Sequence, residues 1–230
     1  MYFHWSCLIL VPGMLLTFWA QNNIKNTYRR YAKINSSMGM TGADVAQTIL
    51  HQMGITDIKV ERVAGELSDH YDPSAKTVRL SQGIYNSSSL AAAAVAAHEC
   101  GHVLQDKQGY NFMNLRASLV PVANLGSRFG PMLIMLGIFL SAMGNVSLIF
   151  IYLGIALFIG SIAFHVVTLP VEFDASSRAL KLIDRLEILQ GEEKKGARAV
   201  LNAAAWTYVA SALYSLLQLA QYIFIALRRR

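Results

Sequence analysis

The sequence predicts a mainly α-helical membrane protein, with about four transmembrane helices and a small α+β lobe outside the bilayer. Three observations predict it. Of the 230 residues 54% are hydrophobic and only 15% charged, with a mean hydropathy of +0.37, below the charged share of a soluble domain. The apolar residues are clumped: from Phe129 to Val171 there is no Asp, Glu, Lys or Arg, and His165 alone can charge near neutral pH. That stretch is long enough for two passes through a bilayer core. Between the first apolar run and the later ones, the chain changes to short alternating and capped segments, the pattern of a folded lobe.

The first span covers roughly Trp5 to Ala20 and contains Pro12-Gly13. It lacks the basic n-region and small-residue cleavage site of a signal peptide and is read as a retained anchor. A polar stretch with Lys25, Arg29, Arg30 and Lys33 follows. "TGADVAQTILHQMG" predicts a helix capped by Thr41, with Asp44 at N3, an apolar stripe Val45–Ile49–Met53 and a stop at Gly54. "DIKVERV" and "KTVRLS" alternate as strands, with "HYDPSAK" as the turn between them. Ser87, Ser88 and Ser89 offer N-cap hydroxyls to the helix "AAAAVAAHECGHVLQD". Three further spans are expected, near Ala117–Met143, Val146–Leu169 and Trp206–Leu227, with Gly144-Asn145 as a tight turn and "GEEKKG" as a loop. Gln218 and Gln221 weaken the last, which either crosses or lies at the interface. The expected organisation is thus an anchor at 1–21, a lobe at 22–116, a transmembrane hairpin at 117–169, a helix and loop at 170–205, and a last helix at 206–230.

Cys7 and Cys100 lie in dissimilar settings, so a structural disulfide is not expected. The net charge of +6 comes without basic runs interleaved with aromatics, which excludes nucleic acid as the expected partner. Basic residues beside the spans read as an orientation signal and place the lobe in the cytoplasm of a multi-pass cell-membrane protein. The tail Arg228–Arg230 runs against that orientation.

His98 and His102 stand at i and i+4, so both leave one face of a helix, with Glu99 beside the first. In H-E-x-x-H, two imidazoles hold one Zn²⁺ and the adjacent carboxylate takes a proton from the water that the metal activates. The small residues Ala94, Ala97 and Gly101 are expected to leave room for metal and substrate. A hydrolytic zinc site needs a third protein ligand. The candidate is Glu172 in "PVEFDASSRAL", just past a span, with Pro170 opening a fresh helix; the alternative is a first-turn acid complementing the helix dipole.

Four segments together, "GITDIKVERVAGELSDHYDPSAKTVRLS", "VAAHECGHVLQD", "LPVEFDASSRAL" and "WTYVASALYSLL", resemble the YugP-like membrane zinc metallopeptidases. The resemblance covers most of the chain. It implies a zincin-like lobe and a membrane-bound neutral peptidase that uses zinc. Its site would face the cytoplasm; the resemblance brings little about substrates, and a peptide or membrane-protein substrate beside the lipid bilayer is this sequence's own expectation. More distantly the chain is similar to the HtpX and CAAX-prenyl-protease group of membrane gluzincins, whose third ligand lies in E-x-x-A-D on a later helix. "EFDAS" matches its Glu at Glu172 and its Ala at Ala175, which supports Glu172 as ligand; Ser176 takes the place of the closing Asp, and Asp174 comes two residues early. Support of the histidines therefore stays open, with Asp174 as one candidate and a solvated first-turn acid as its alternative.

Four further positions carry paired readings. His70 and Tyr71 are oxyanion-stabilising donors or belong to surface turn chemistry. Arg178 binds a substrate carboxylate or carbonyl, or serves a lipid headgroup or a salt bridge. His165 is a functional candidate as an intramembrane titratable group or, the plainer reading, hydrogen-bonds to a neighbouring helix, and it is left out of the site. The expected activity is zinc-dependent endopeptidase action on unfolded or membrane-protein segments. Two rivals stand beside it: a scaffold with a structural metal, and an intramembrane protease of the site-2 type.

Overall fold

A computed structural model describes residues 5–140 and 145–227; the expected Gly144 turn and the Arg228–Arg230 tail lie outside the described residues. The element order is a 3-10 helix (Trp5–Leu10), α1 (Val11–Tyr31), α2 (Gly42–Gln52), β1 (Lys59–Val63), β2 (His70–Asp72), β3 (Thr77–Ser81), α3 (Gln82–Tyr85), α4 (Leu90–Lys107), α5 (Asn111–Phe139), α6 (Asn145–Arg185) and α7 (Glu193–Leu227). The protein is mainly α-helical, and its strands form one small mixed sheet. Among the described residues, four helical segments are long and apolar enough to cross a membrane: Ser6–Tyr31, Asn111–Phe139, Asn145–Arg185 and Glu193–Leu227. The chain divides into two compact units, one from Met1–Ala20, Asn111–Pro170 and Thr207–Arg230, the other from Gln21–Tyr110 and Val171–Trp206.

The first unit is built of helices whose outer faces stay apolar, with Phe18, Met135, Phe139 and Ile149 all more than 60% exposed. Its interior includes Ile134, Ile151, Ile155 and Ala226. Small residues let backbones approach, as membrane helix pairs require: a Cβ on Gly154 would lie 2.6 Å from the Gly130 carbonyl oxygen. The two glutamines of the last helix find partners, Gln218 donating to the Tyr222 hydroxyl at 2.8 Å and Gln221 to Cys7 Sγ at 3.7 Å, so neither leaves a bare amide in an apolar setting. Cys7 and Cys100 are both free.

In the second unit α2 forms for the expected local reasons. Thr41 caps it, its hydroxyl accepting from the Asp44 N–H while Asp44 accepts from the Thr41 N–H; Gly54 follows in the left-handed region. Its stripe Val45, Ala46, Ile49 and Leu50 is buried, and α2 packs on α4. The sheet order is β1-β3-β2, with β3 parallel to β1 and antiparallel to β2. β3 is central, which is why four of its five residues are buried.

Three local expectations are corrected. "HYDPSAK" is not wholly a turn: His70–Asp72 pairs with β3, Tyr71 lying opposite Val78, and only three residues long it is too short for alternation to reveal. "GEEKKG" is mostly helix, because Glu193 accepts from the Gln190 N–H and thereby caps α7. Pro170 does not open a new helix; α6 runs through it from Asn145 to Arg185. An interior proline removes one hydrogen bond and strains one turn. Burial of Val171, Ala175 and Ala179, each fully enclosed, offsets that cost.

Candidate metal centre

α4 begins where the Ser89 hydroxyl accepts the Ala92 N–H, and 14 of its 18 residues are buried. Its setting is the protein's own lobe: α2, α3, β2 and β3 all contact it. The small residues of α4 do not leave room for substrate as expected. Ala94 and Ala97 are fully buried, and a Cβ on Gly101 would lie 2.5 Å from the Ala175 carbonyl oxygen. Beside Gly101 the space is taken by the backbone of α6, and that close approach brings Glu172 to the two histidines. Glu172 therefore sits deep in α6 rather than in a first turn, which removes the dipole reading for it and for Asp174.

One ligand atom each from His98, His102 and Glu172 lies within 4.8 Å of the others. Glu172 Oε2 is 3.2 Å from His98 Nε2 and 3.6 Å from His102 Nε2. Donors about 2.0–2.1 Å from a tetrahedral zinc are separated by about 3.3–3.4 Å, the edge of the tetrahedron. The two spacings about Glu172 straddle that edge, and two imidazoles with one carboxylate are a donor set that suits zinc. The three residues fit the ion. His98 is the least buried of them, its side chain 14% exposed against 3% for Glu172.

Over residues 6–227 the chain matches the family described as "Putative neutral zinc metallopeptidase". It is 42% identical over 222 residues, 96% of each chain, to "Putative membrane protease YugP" of Bacillus subtilis (strain 168). The chain belongs to this family. No solved structure matches it.

Around the cluster of this zinc-metallopeptidase family member, hydrogen bonds settle which ring nitrogens are available. Gln105, fully buried one turn after His102, donates through Nε2 to the Val171 carbonyl at 2.8 Å and to Asp174 Oδ2 at 2.9 Å. With both N–H groups used, its Oε1 accepts from His102 Nδ1 at 2.9 Å, so Nε2, on the side of Glu172, is the nitrogen that gives up its proton when the ring is neutral. Ser176 Oγ lies 3.2 Å from His98 Nδ1, and the Nε2 of that ring is on the side of Glu172. Asp174 thus supports a histidine through Gln105 rather than directly. Arg178 is held by Asp174 and by Gln108 Oε1, and its guanidinium lies over the Tyr110 ring, which matches the salt-bridge reading.

Glu99 is buried, and burial pushes its carboxyl above the ordinary range against the opposing influence of His98 and His102. For His102, burial disfavours the charged ring, but the hydrogen bond to Glu172 and the charges of Glu99 and Glu172 outweigh it and raise its pKa. His70 Nδ1 is 2.7 Å from the Ser68 carbonyl, and Arg79 approaches its Nε2. Tyr71 donates to Asp106 Oδ2 at 2.8 Å; burial and that bond hold its phenol protonated. Neither has a hydrogen bond to the three-donor cluster. Sequence reasoning missed Gln105, although its signal was present: an uncharged polar residue three after His102, on the same helical face.

Proposed function

We propose that this protein is a membrane-anchored zinc-dependent endopeptidase, with His98, His102 and Glu172 as metal ligands and Glu99 as general base. The observation that carries the reading is the spacing of the donor atoms, 3.2 and 3.6 Å from Glu172 Oε2 on α6 to two histidines of α4, the helix that also holds Glu99. Bound zinc supplies Lewis acidity, polarising a peptide carbonyl and acidifying a water. His98 and His102 present Nε2 because Ser176 and Gln105 occupy their Nδ1 atoms. Glu99 accepts the water's proton and returns it to the leaving amine; its burial raises its proton affinity towards the range a general base needs at neutral pH. Unfolded or membrane-protein segments are the substrates, and the multi-pass chain holds the lobe at the cytoplasmic face of the cell membrane. Packing of α4 by α2, α3 and the sheet favours this over an intramembrane helix of the site-2 type.

The test is zinc content and cleavage of an unfolded protein by detergent-purified wild type and Glu99→Gln. One zinc per chain in both, with turnover only in wild type, is the expected result. Equal turnover in the two removes Glu99 as base. A zinc-loaded wild type that cleaves nothing, together with a cellular role that survives Glu99→Gln, makes the protein a scaffold with a structural metal.

A further inference from the structure

A concave site lies away from the three-donor cluster, between the later part of α6 and the start of α7. It is a groove of about 770 Å³, lined by four cations and a single acid, Asp184. Asp184 is already paired with Lys194, and Lys195 with Glu192. Ser177 and Lys181 stand one turn apart on α6, and Arg198 and Asn202 one turn apart on α7, so each helix aims a cation and a neutral polar group along one stripe. All four are exposed, and among the described residues none of their side chains has a hydrogen bond or ion pair. Four unused donor groups with an excess of positive charge form a cradle for a phosphate-like anion.

The surroundings select the source of that anion. α7 continues from Asn202 into the apolar stretch that begins at Trp206, four residues and about 6 Å further along the helix. Trp206 is 44% exposed, the behaviour of an aromatic at a membrane–water boundary. The groove is formed by two helices that each carry a candidate span, and basic residues beside a span attract anionic lipid. Leu180 and Ile183 add an apolar wall. We propose that this groove binds the phosphate of an anionic phospholipid headgroup, with Lys181 and Arg198 as its charged contacts and Ser177 and Asn202 as neutral donors. The site is separate from the metal centre: α6 turns Glu172 and Ser176 to the histidines of α4, and Ser177 and Lys181 to the groove.

The experiment uses the full chain in a neutral maltoside detergent, titrated with water-soluble dihexanoyl phosphatidylglycerol, dihexanoyl phosphatidylcholine or inorganic phosphate. Binding is read by native mass spectrometry and by the thermal unfolding shift. The phosphatidylglycerol is expected to bind at least tenfold more tightly than the other two. Lys181→Gln/Arg198→Gln should lose that preference, whereas the charge-matched Lys59→Gln/Arg62→Gln on β1 should keep it. Asn202→Ala, which leaves the charge unchanged, should weaken binding severalfold. Inorganic phosphate binding as tightly as the lipid, and displaced by the same double substitution, overturns the lipid assignment in favour of a free-phosphate site. Equal losses in the two double variants, or no preference in wild type, overturn the site itself.

Discussion

Replacing Gly101 by alanine tests how the metal centre is assembled. The added Cβ would lie 2.5 Å from the Ala175 carbonyl oxygen, whereas a carbon normally stops about 3.3 Å from such an oxygen. The backbones of α4 and α6 must therefore separate by about 0.8 Å locally. Glu172 lies one turn before Ala175 on the same helix and moves with it, while His98 and His102 stay with α4. Metal bonds tolerate about 0.2 Å, so a shift of this size breaks the match between 3.2 and 3.6 Å spacings and a tetrahedral ion. Zinc affinity should fall by about ten- to a hundredfold or more, and the metal-free protein should lose about 1–3 kcal/mol from overpacking. Competition with a chromophoric chelator measures the first, and thermal unfolding of metal-free protein the second. Gly83→Ala is the control, because its Cβ would meet the Tyr28 hydroxyl at an ordinary 3.5 Å. A folded Gly101→Ala protein with wild-type zinc affinity would refute the argument that this contact sets the ligand spacing.

Gln105→Leu keeps the volume but removes the acceptor at His102 Nδ1 and leaves Asp174 without its amide donor; zinc affinity should drop about tenfold or more, read by the same competition assay. Zinc binding should also strengthen with rising pH. The His102 pKa is raised in the metal-free protein, so its proton persists to a higher pH than on a free imidazole and must be displaced by the metal; affinity independent of pH between 5.5 and 8.5 would contradict this. Away from the site, Thr41→Ala removes the α2 cap and should cost about 1 kcal/mol in thermal or denaturant unfolding, with zinc stoichiometry unchanged.

Local and periodic information carried much of the protein in its sequence alone. The apolar runs, the Thr41–Asp44 cap, the Ser89 cap and the i, i+4 histidines depend on neighbours a turn or less away, so their signals are written in adjacent residues. Glu172 was legible as a candidate because its segment resembles a later-helix ligand motif, yet its place in a helix was misread: Pro170 is a local stop signal, and only the packing of Val171, Ala175 and Ala179 overrides it. β2 escaped notice because three residues gain their strand character from β3. The small residues of α4 were read as space when they are a contact, since a glycine's neighbour across a helix pair leaves no mark in the flanking sequence. The support of the two histidines likewise belongs to tertiary structure. Gln105 and Ser176 are polar residues without a motif until α4 and α6 come together; then hydrogen-bond saturation of the buried Gln105 amide determines which nitrogen the His102 ring presents, and Ser176 stands at Nδ1 of His98.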